Sequence, residues 1–256
     1  MESRTTQPAG EPFLCLVIPA YNEERRIFAT LQEATSYLER QDYSWNILVA
    51  DDGSTDGTAA LVQEFARKEP RVLLRSLPHG GKGWAVRSGM LATKAAYRFL
   101  CDADLSMPIE LIERFLPPKL TECNVALGSR EVVGARRIGE PRRRHVMGRL
   151  FNAFTRLLAV RNVKDTQCGF KCFTGSAAEM LFSRQTLNGF GFDVEVLFLA
   201  QRMKLRLVEV PIDWYYKSES KVHPLRDGLA MGRDILKVRW NAWRGRYDGK
   251  AGALPG

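Results

Sequence analysis

Phe13-Leu-Cys-Leu-Val-Ile-Pro-Ala-Tyr-Asn-Glu23 begins as an apolar, strand-like run and ends on a polar cluster. The pattern recurs: Trp45–Val49 leads into Asp51-Asp-Gly-Ser-Thr-Asp-Gly57, and Tyr97–Cys101 leads into Asp102-Ala-Asp104, with Val72–Leu74 a further short apolar run between them. Segments of helical period separate these runs, so the first half alternates strand and helix. That alternation predicts an α/β fold, a mostly parallel sheet flanked by helices on both faces. Ligands of such sheets sit at the carboxyl edge, where the three polar clusters converge. Further on, Val146–Val160 and Phe192–Met203 read as helices, Leu205–Ile212 as a strand, and Gly134–Arg144, rich in Gly, Pro and Arg, as a mobile loop.

Length and composition suit one α/β domain. The chain has 256 residues, 45% hydrophobic and 26% charged, ordinary values that exclude disordered and collagen-like classes. Its longest purely apolar runs, such as Phe13–Ala20, fall far short of the ~20 residues a membrane-spanning helix needs. Met1–Pro12 is polar and lacks the apolar core of a signal peptide, so a cytosolic location is expected. The five cysteines are odd in number and form no C-x-x-C pair, which predicts reduced, mostly buried thiols rather than disulfides or a zinc site.

The net charge of +9 is concentrated. Arg130–Arg149 carries seven arginines against two glutamates, and Lys217–Lys250 carries nine basic residues against four acidic ones, so each segment has an excess of five. Two basic segments on a near-neutral body suit a polyanionic surface or phosphates. On Leu225–Trp243, helical period places Leu225, Leu229, Leu236, Trp240 and Trp243 in one stripe. Arg226, Arg233, Lys237 and Arg244 form a neighbouring basic stripe. Tryptophans beside a basic stripe suit a helix at a membrane interface; a helix docked on its own domain gives the same pattern.

Asp102 and Asp104, two residues apart after an apolar strand, point to the same side of an extended segment. Such a pair suits a hard divalent ion that completes its shell with substrate phosphates. Asp51 and Asp52 end another strand, where a carboxylate can accept from a base or ribose, while Ser54 or Asp56 can cap the following helix. His79-Gly-Gly-Lys-Gly83 has phosphate-cradle chemistry, although a plain turn with a helix start explains it nearly as well. His79, His145 and His223 stand isolated and receive no catalytic role.

In their order, Pro19-Ala-Tyr-Asn-Glu23, Asp51–Gly57, Gly80-Gly-Lys-Gly83, Asp102-Ala-Asp104, Gly128-Ser-Arg130 and Asp165-Thr-Gln-Cys-Gly-Phe-Lys171 resemble inverting nucleotide-sugar glycosyltransferases of family 2, with the GT-A fold. Asp165–Lys171, Gly191-Phe-Asp-Val-Glu195 and Ser218-Glu-Ser-Lys221 resemble the polyprenyl-phosphate branch, the dolichyl-phosphate β-glucosyltransferases in particular. The resemblance implies a nucleotide-sugar site at Pro19, Ala20, Tyr21, Glu23, Asp51, Asp52, Gly53, Lys82, Asp102 and Ala103. It implies Mg²⁺ or Mn²⁺ on Asp102 and Asp104, and an acceptor-phosphate site at Arg130, Arg142, Arg143, Arg144 and Lys221. Asp104, Arg130 and Asp165 are the residues it assigns to catalysis. Ser106 stands where mannose synthases of this group often carry a further metal-site residue.

The expected reaction is metal-dependent, inverting transfer of a hexose, glucose from UDP-glucose, to a polyprenyl phosphate at the cytosolic membrane face. An acceptor phosphate with a second pKa near ~6 is largely deprotonated at pH 7 and needs no strong general base. Asp165 then orients the acceptor or ties a loop. The expected layout is a flexible 1–12, a single catalytic domain over 13–222, a basic amphipathic helix over 223–247 that meets an anionic membrane surface, and a flexible 248–256. GDP-mannose or UDP-N-acetylhexosamine as donor, or a soluble or glycolipid acceptor, are the nearer alternatives. A non-catalytic basic domain binding membrane or nucleic acid is the remote one; nucleic acid is not an expected partner.

Overall fold

The opening run forms strand β1 (Leu14–Ala20), buried at every position. Side chains alternate across a strand, so Leu14, Leu16 and Ile18 enter one apolar cluster while Cys15 and Val17 enter another on the opposite face. A strand covered on both faces has no polar face to show, which accounts for the unbroken apolar sequence.

The computed structural model describes residues 10–141, 152, 155, 158–217 and 224–248, with side chains from 232 onward in the last stretch. The strands after β1 are β2 (Trp45–Asp51), β3 (Val72–Ser76), β4 (Tyr97–Cys101), β5 (Val125–Ser129), β6 (Arg136–Ile138), β7 (Phe170–Thr174), β8 (Leu207–Pro211) and β9 (Asp213–Tyr215). Seven of them make one sheet in the order β3-β2-β1-β4-β7-β5-β8, and β6 pairs with β9 in a second, small parallel sheet. In the large sheet β7 alone runs antiparallel, against β4 and β5. Helices α1 (Ile27–Leu38) and α2 (Thr58–Lys68) and a 3₁₀ helix (Ile109–Phe115) cover one face. The other face carries α3 (Lys82–Ala92), α4 (Gly175–Phe182), α5 (Phe192–Arg202) and α6 (Pro224–Trp243).

The segment read as a mobile loop, 134–144, contains an ordered strand. Arg136 pairs with Asp213 through two contacts of 2.7 and 2.6 Å, and Arg137 bridges Glu131 and Glu140. Asp213, 77 positions away, neutralises Arg136, and the nearby Glu131 and Glu140 neutralise Arg137. Of the 146–160 helix, Asn152, Thr155 and Leu158 are described and helical. Arg142, Arg143, Arg144, His145, Lys221 and His223 lie outside the described residues. The cysteines are free, four buried and Cys123 half-buried.

Helix α6 is docked on its own domain by one face and leaves apolar side chains exposed on another. Ile235 and Val238 are fully buried in the core, and Asn241 and Tyr247 reach a buried polar hub at Glu195. Leu236, Trp240 and Trp243 remain 60%, 54% and 77% exposed.

Candidate active site

The ends of β1, β2, β4 and β5 share one edge of the sheet because these strands are parallel or joined through β7. Strand β7 runs the other way, so the segment before it, Asp165–Gly169, arrives at that same edge. Cys101 lies opposite Phe170 in the ladder.

On the β1–β2 side the two polar loops are laced together. Asn22 N–H donates to Ser54 Oγ (2.9 Å), Glu23 N–H to Thr58 Oγ1 (2.8 Å), and Asn22 Oδ1 accepts from Thr55 N–H (2.8 Å). Pro19 and Ala20 stand opposite Ala50 and Asp51 in the ladder, and Glu23 pairs with Arg26 at 2.9 Å. Asp51 is buried and accepts from the Ser54 hydroxyl and amide. Asp52, also buried, accepts from the amides of Gly80 (2.8 Å) and Gly81 (2.9 Å) and faces His79 Nδ1 at 2.9 Å. Those two glycine amides are therefore spent on Asp52 rather than presented to a phosphate. Gly53 has φ +70°, and a Cβ there would meet the backbone of His79 at 2.8 Å, so the turn that joins the two loops needs glycine. The Tyr21 ring, 37% exposed, stacks on His79 with 4.4 Å between centroids. His79, given no role from sequence, thus forms half of an exposed aromatic platform.

After β4, Asp102 and Asp104 are both partly exposed. Between them, Ala103 is buried and its carbonyl accepts from Thr30 Oγ1 of α1 at 2.6 Å, which anchors the pair to the helix layer. Asp104 Oδ1 accepts from Ser106 N–H at 2.9 Å, so Ser106 shapes the turn through its backbone. Lys82 Nζ lies 2.7 Å from Asp102 Oδ1. Burial alone would lower the Lys82 pKa, but Asp102, Asp193 and Asp104 outweigh it and raise it, so the group stays an ammonium. A Cβ at Gly169 would fall inside contact distance of the Asp102 carboxylate, so glycine is what lets the Asp165–Lys171 segment close on this pair. Among the described residues no group of three or more His, Cys, Asp or Glu side chains is placed around a metal. The donor set nevertheless fits Mg²⁺ or Mn²⁺: two hard carboxylates, one already facing a cation, with the remaining ligands to come from phosphate and water.

On the β5–β7 side Arg130 and Asp165 form a two-toothed pair. Nε donates to Oδ2 at 2.7 Å and Nη2 to Oδ1 at 2.8 Å, with the Arg130 amide also on Oδ2 at 3.0 Å. Burial pushes Asp165 up, but Arg130 pulls it down further, to about 2. The Arg130 guanidinium lies 5.3 Å from the Trp214 ring centroid and Arg137 lies 5.8 Å from it. Beneath the site Lys171, fully buried, pairs with Asp193 at 2.6 Å and donates to the Cys168 carbonyl. The sequence signal for this second pair was a lysine inside the apolar strand Phe170–Phe173 and an aspartate inside an apolar helix.

The Glycosyl transferase family 2 model matches residues 15–182. The chain belongs to glycosyl transferase family 2. It is 36% identical over 241 residues to a dolichyl-phosphate beta-glucosyltransferase of Trichomonas vaginalis, covering 90% of this chain and 71% of that one. With the human dolichyl-phosphate beta-glucosyltransferase it shares 32% identity over 250 residues, 90% of this chain and 77% of the other. The fold is that of mannosyl-3-phosphoglycerate synthase from Rubrobacter xylanophilus (TM-score 0.66, 19% identity, 96% and 78% of the two chains). It is also that of glucosyl-3-phosphoglycerate synthase from Mycobacterium tuberculosis, solved with UDP (TM-score 0.64, 20% identity, 96% and 82%). As a family 2 member the protein is a glycosyltransferase, and its mostly parallel sheet with helices on both faces is the family's GT-A architecture.

Proposed function

We propose that this family 2 enzyme transfers glucose from UDP-glucose to a polyprenyl phosphate, dolichyl phosphate or a relative of it, at the cytosolic face of a membrane. The observation that carries this reading is one sheet edge that offers a cation-seeking carboxylate pair, Asp102 and Asp104, beside a guanidinium, Arg130, held rigidly by Asp165. Glucosyl transfer and dolichyl phosphate are what the names of the relatives give.

In this reading Tyr21 and His79 receive the base, and the interlaced loops holding Asp51, Asp52 and Gly53 form the wall against the ribose, with Pro19, Ala20 and Glu23 beside them. Mg²⁺ or Mn²⁺ on Asp102 and Asp104 would neutralise charge that grows on the departing diphosphate. Lys82 adds a fixed positive charge there, and Arg130, with Arg142–Arg144 and Lys221, grips the acceptor phosphate. An acceptor already ionised needs no base, which agrees with an Asp165 whose two oxygens are occupied by Arg130 and whose pKa is held near about 2. Asp165 serves by holding Arg130 in one orientation.

A lipid acceptor requires contact with a membrane surface. Among the described residues no helix is long and apolar enough to cross one. The outward face of α6 offers Trp240 and Trp243, 5.0 Å apart, in a shallow groove of about 640 Å³ with Leu236, Lys237 and Arg239. Aromatic rings bordered by basic residues suit the headgroup layer of an anionic bilayer.

The test incubates the protein with Mn²⁺, labelled UDP-glucose and a short polyprenyl phosphate, with GDP-mannose in parallel. Label passing into the organic phase from UDP-glucose, and lost with EDTA or in Asp104→Asn, is the expected result. Label that leaves the nucleotide but stays aqueous would keep the family chemistry and overturn the lipid acceptor.

A further inference from the structure

Lys82 stands on the carboxylate that a divalent cation would need. Its ammonium is 2.7 Å from Asp102 Oδ1, and the backbone that carries it is locked. Gly80 and Gly81 amides are held by Asp52, and Trp84 N–H donates to the Asn188 carbonyl at 3.1 Å. The loop cannot withdraw the lysine; its side chain alone can turn away. Among the described residues the neighbouring carboxylates already have partners, Asp193 in Lys171 at 2.6 Å and Asp104 Oδ1 in the Ser106 amide.

Charge counting gives the consequence. Asp102, Asp104 and Asp193 with Lys82 and Lys171 sum to one negative charge. A divalent cation alone turns the cluster positive beside an ammonium in a partly buried site, where like charges repel strongly. A diphosphate arriving with the cation restores the original sign and offers the ammonium oxygens in place of Asp102.

We infer that Lys82 and the divalent cation compete for Asp102, and that the donor diphosphate relieves the competition by taking over the ammonium. Metal binding is thereby coupled to nucleotide binding, and a metal ion is held firmly once a donor is present. The inference rests on the donor and metal assignment proposed above.

The experiment measures free Mn²⁺ by electron paramagnetic resonance in titrations of wild type, Lys82→Met and Lys82→Arg, each without and with saturating UDP, corrected by protein-free UDP titrations. Wild type should bind Mn²⁺ about tenfold more tightly with UDP, within the usual range of site-to-site coupling. Without UDP, Lys82→Met should bind Mn²⁺ about tenfold more tightly than wild type, and UDP should then tighten it by less than in wild type, because the diphosphate still supplies ligands but has no competing ammonium to relieve. Lys82→Arg, which keeps the charge, should behave as wild type. Tighter metal binding is a gain that damage to the fold does not produce. Equal or weaker Mn²⁺ binding by Lys82→Met without UDP overturns the inference, as does wild-type affinity indifferent to UDP, a result that needs no variant. A wild type that binds neither UDP nor Mn²⁺ would instead sink the donor and metal assignment itself.

Discussion

On the β1–β2 half of the carboxyl edge, carboxylates are held by uncharged partners: Asp51 by the Ser54 hydroxyl and amide, Asp52 by two glycine amides. On the β5–β9 half they are held by arginines: Asp165 by Arg130, Glu131 and Glu140 by Arg137, Asp213 by Arg136. Hydrogen bonds to neutral donors leave the negative charge in place, whereas an ion pair cancels it. The first half keeps the charges of Asp51 and Asp52, and next to it Asp104 accepts from the Ser106 amide while Asp102 shares its charge with Lys82. The second neutralises its own acids with arginines. In the proposed transfer of a sugar from a metal-bound diphosphate to an acceptor phosphate, the first half would be the cation-seeking side and the second the anion-seeking side.

The largest effect should come from the cation-seeking side. Asp104→Asn keeps the shape and removes the charge, and transfer should fall about a thousandfold, on the order of 4 kcal/mol of transition-state stabilisation. Initial rates at saturating donor, with UDP affinity measured alongside, check this. A loss below tenfold would break the contrast between the two halves.

On the arginine side the comparable change should be felt in stability. Asp165→Ala leaves the Arg130 guanidinium beside a lost partner, and about 3 kcal/mol should be lost in urea unfolding at pH 7. The sign with pH follows from the lowered carboxyl. A group held near about 2 when folded, below the ordinary 3.8, contributes stability above pH ~4 that fades as the pH falls toward 2. Wild type should accordingly lose part of its margin over Asp165→Asn across that window, and parallel curves for the two would show that the pair does not carry the difference.

A smaller effect is expected where α6 meets the body. Glu195 is fully buried and accepts from Tyr247 Oη at 2.7 Å, from the amides of Thr186 and Leu187, and from the Thr186 hydroxyl. Tyr247→Phe removes one of four donors, so about 1–2 kcal/mol should be lost, measured by thermal unfolding. A neutral outcome would mean that Ile235, Val238 and Asn241 hold α6 without help from the Tyr247 hydroxyl.

The same division explains what the sequence could show. The β1, β2, β3 and β4 strands and their loops were legible because each is a short apolar run with its own polar terminus, a local signal. The Arg130–Asp165, Arg136–Asp213 and Lys171–Asp193 pairs join residues 35, 77 and 22 positions apart. No local pattern announces which acid meets which base. That is why 134–144 reads as a loop and why the motifs that contain Lys171 and Asp193 name no partner for either. His79 was passed over because its partner, Tyr21, lies on another loop.

The smallest expected change in stability belongs to the outer face of α6, and it is the one that separates docking from membrane contact. Trp240 and Trp243 are more than half exposed, so replacing both with alanine removes little buried area and should shift unfolding by about 0.5 kcal/mol at most. If the rings serve the fold, nothing else should change. If they meet a bilayer, sedimentation with vesicles containing acidic lipid should drop severalfold. Tryptophan fluorescence should shift to the blue on vesicle addition in wild type and lose that shift in the double variant. Transfer to a water-soluble short-chain acceptor should stay as in wild type while transfer to a vesicle-embedded polyprenyl phosphate falls. Arg233→Glu with Lys237→Glu then tests the charge beside the rings: the binding lost should track the acidic lipid content, because a bilayer without acidic lipid gives those side chains no opposite charge to meet.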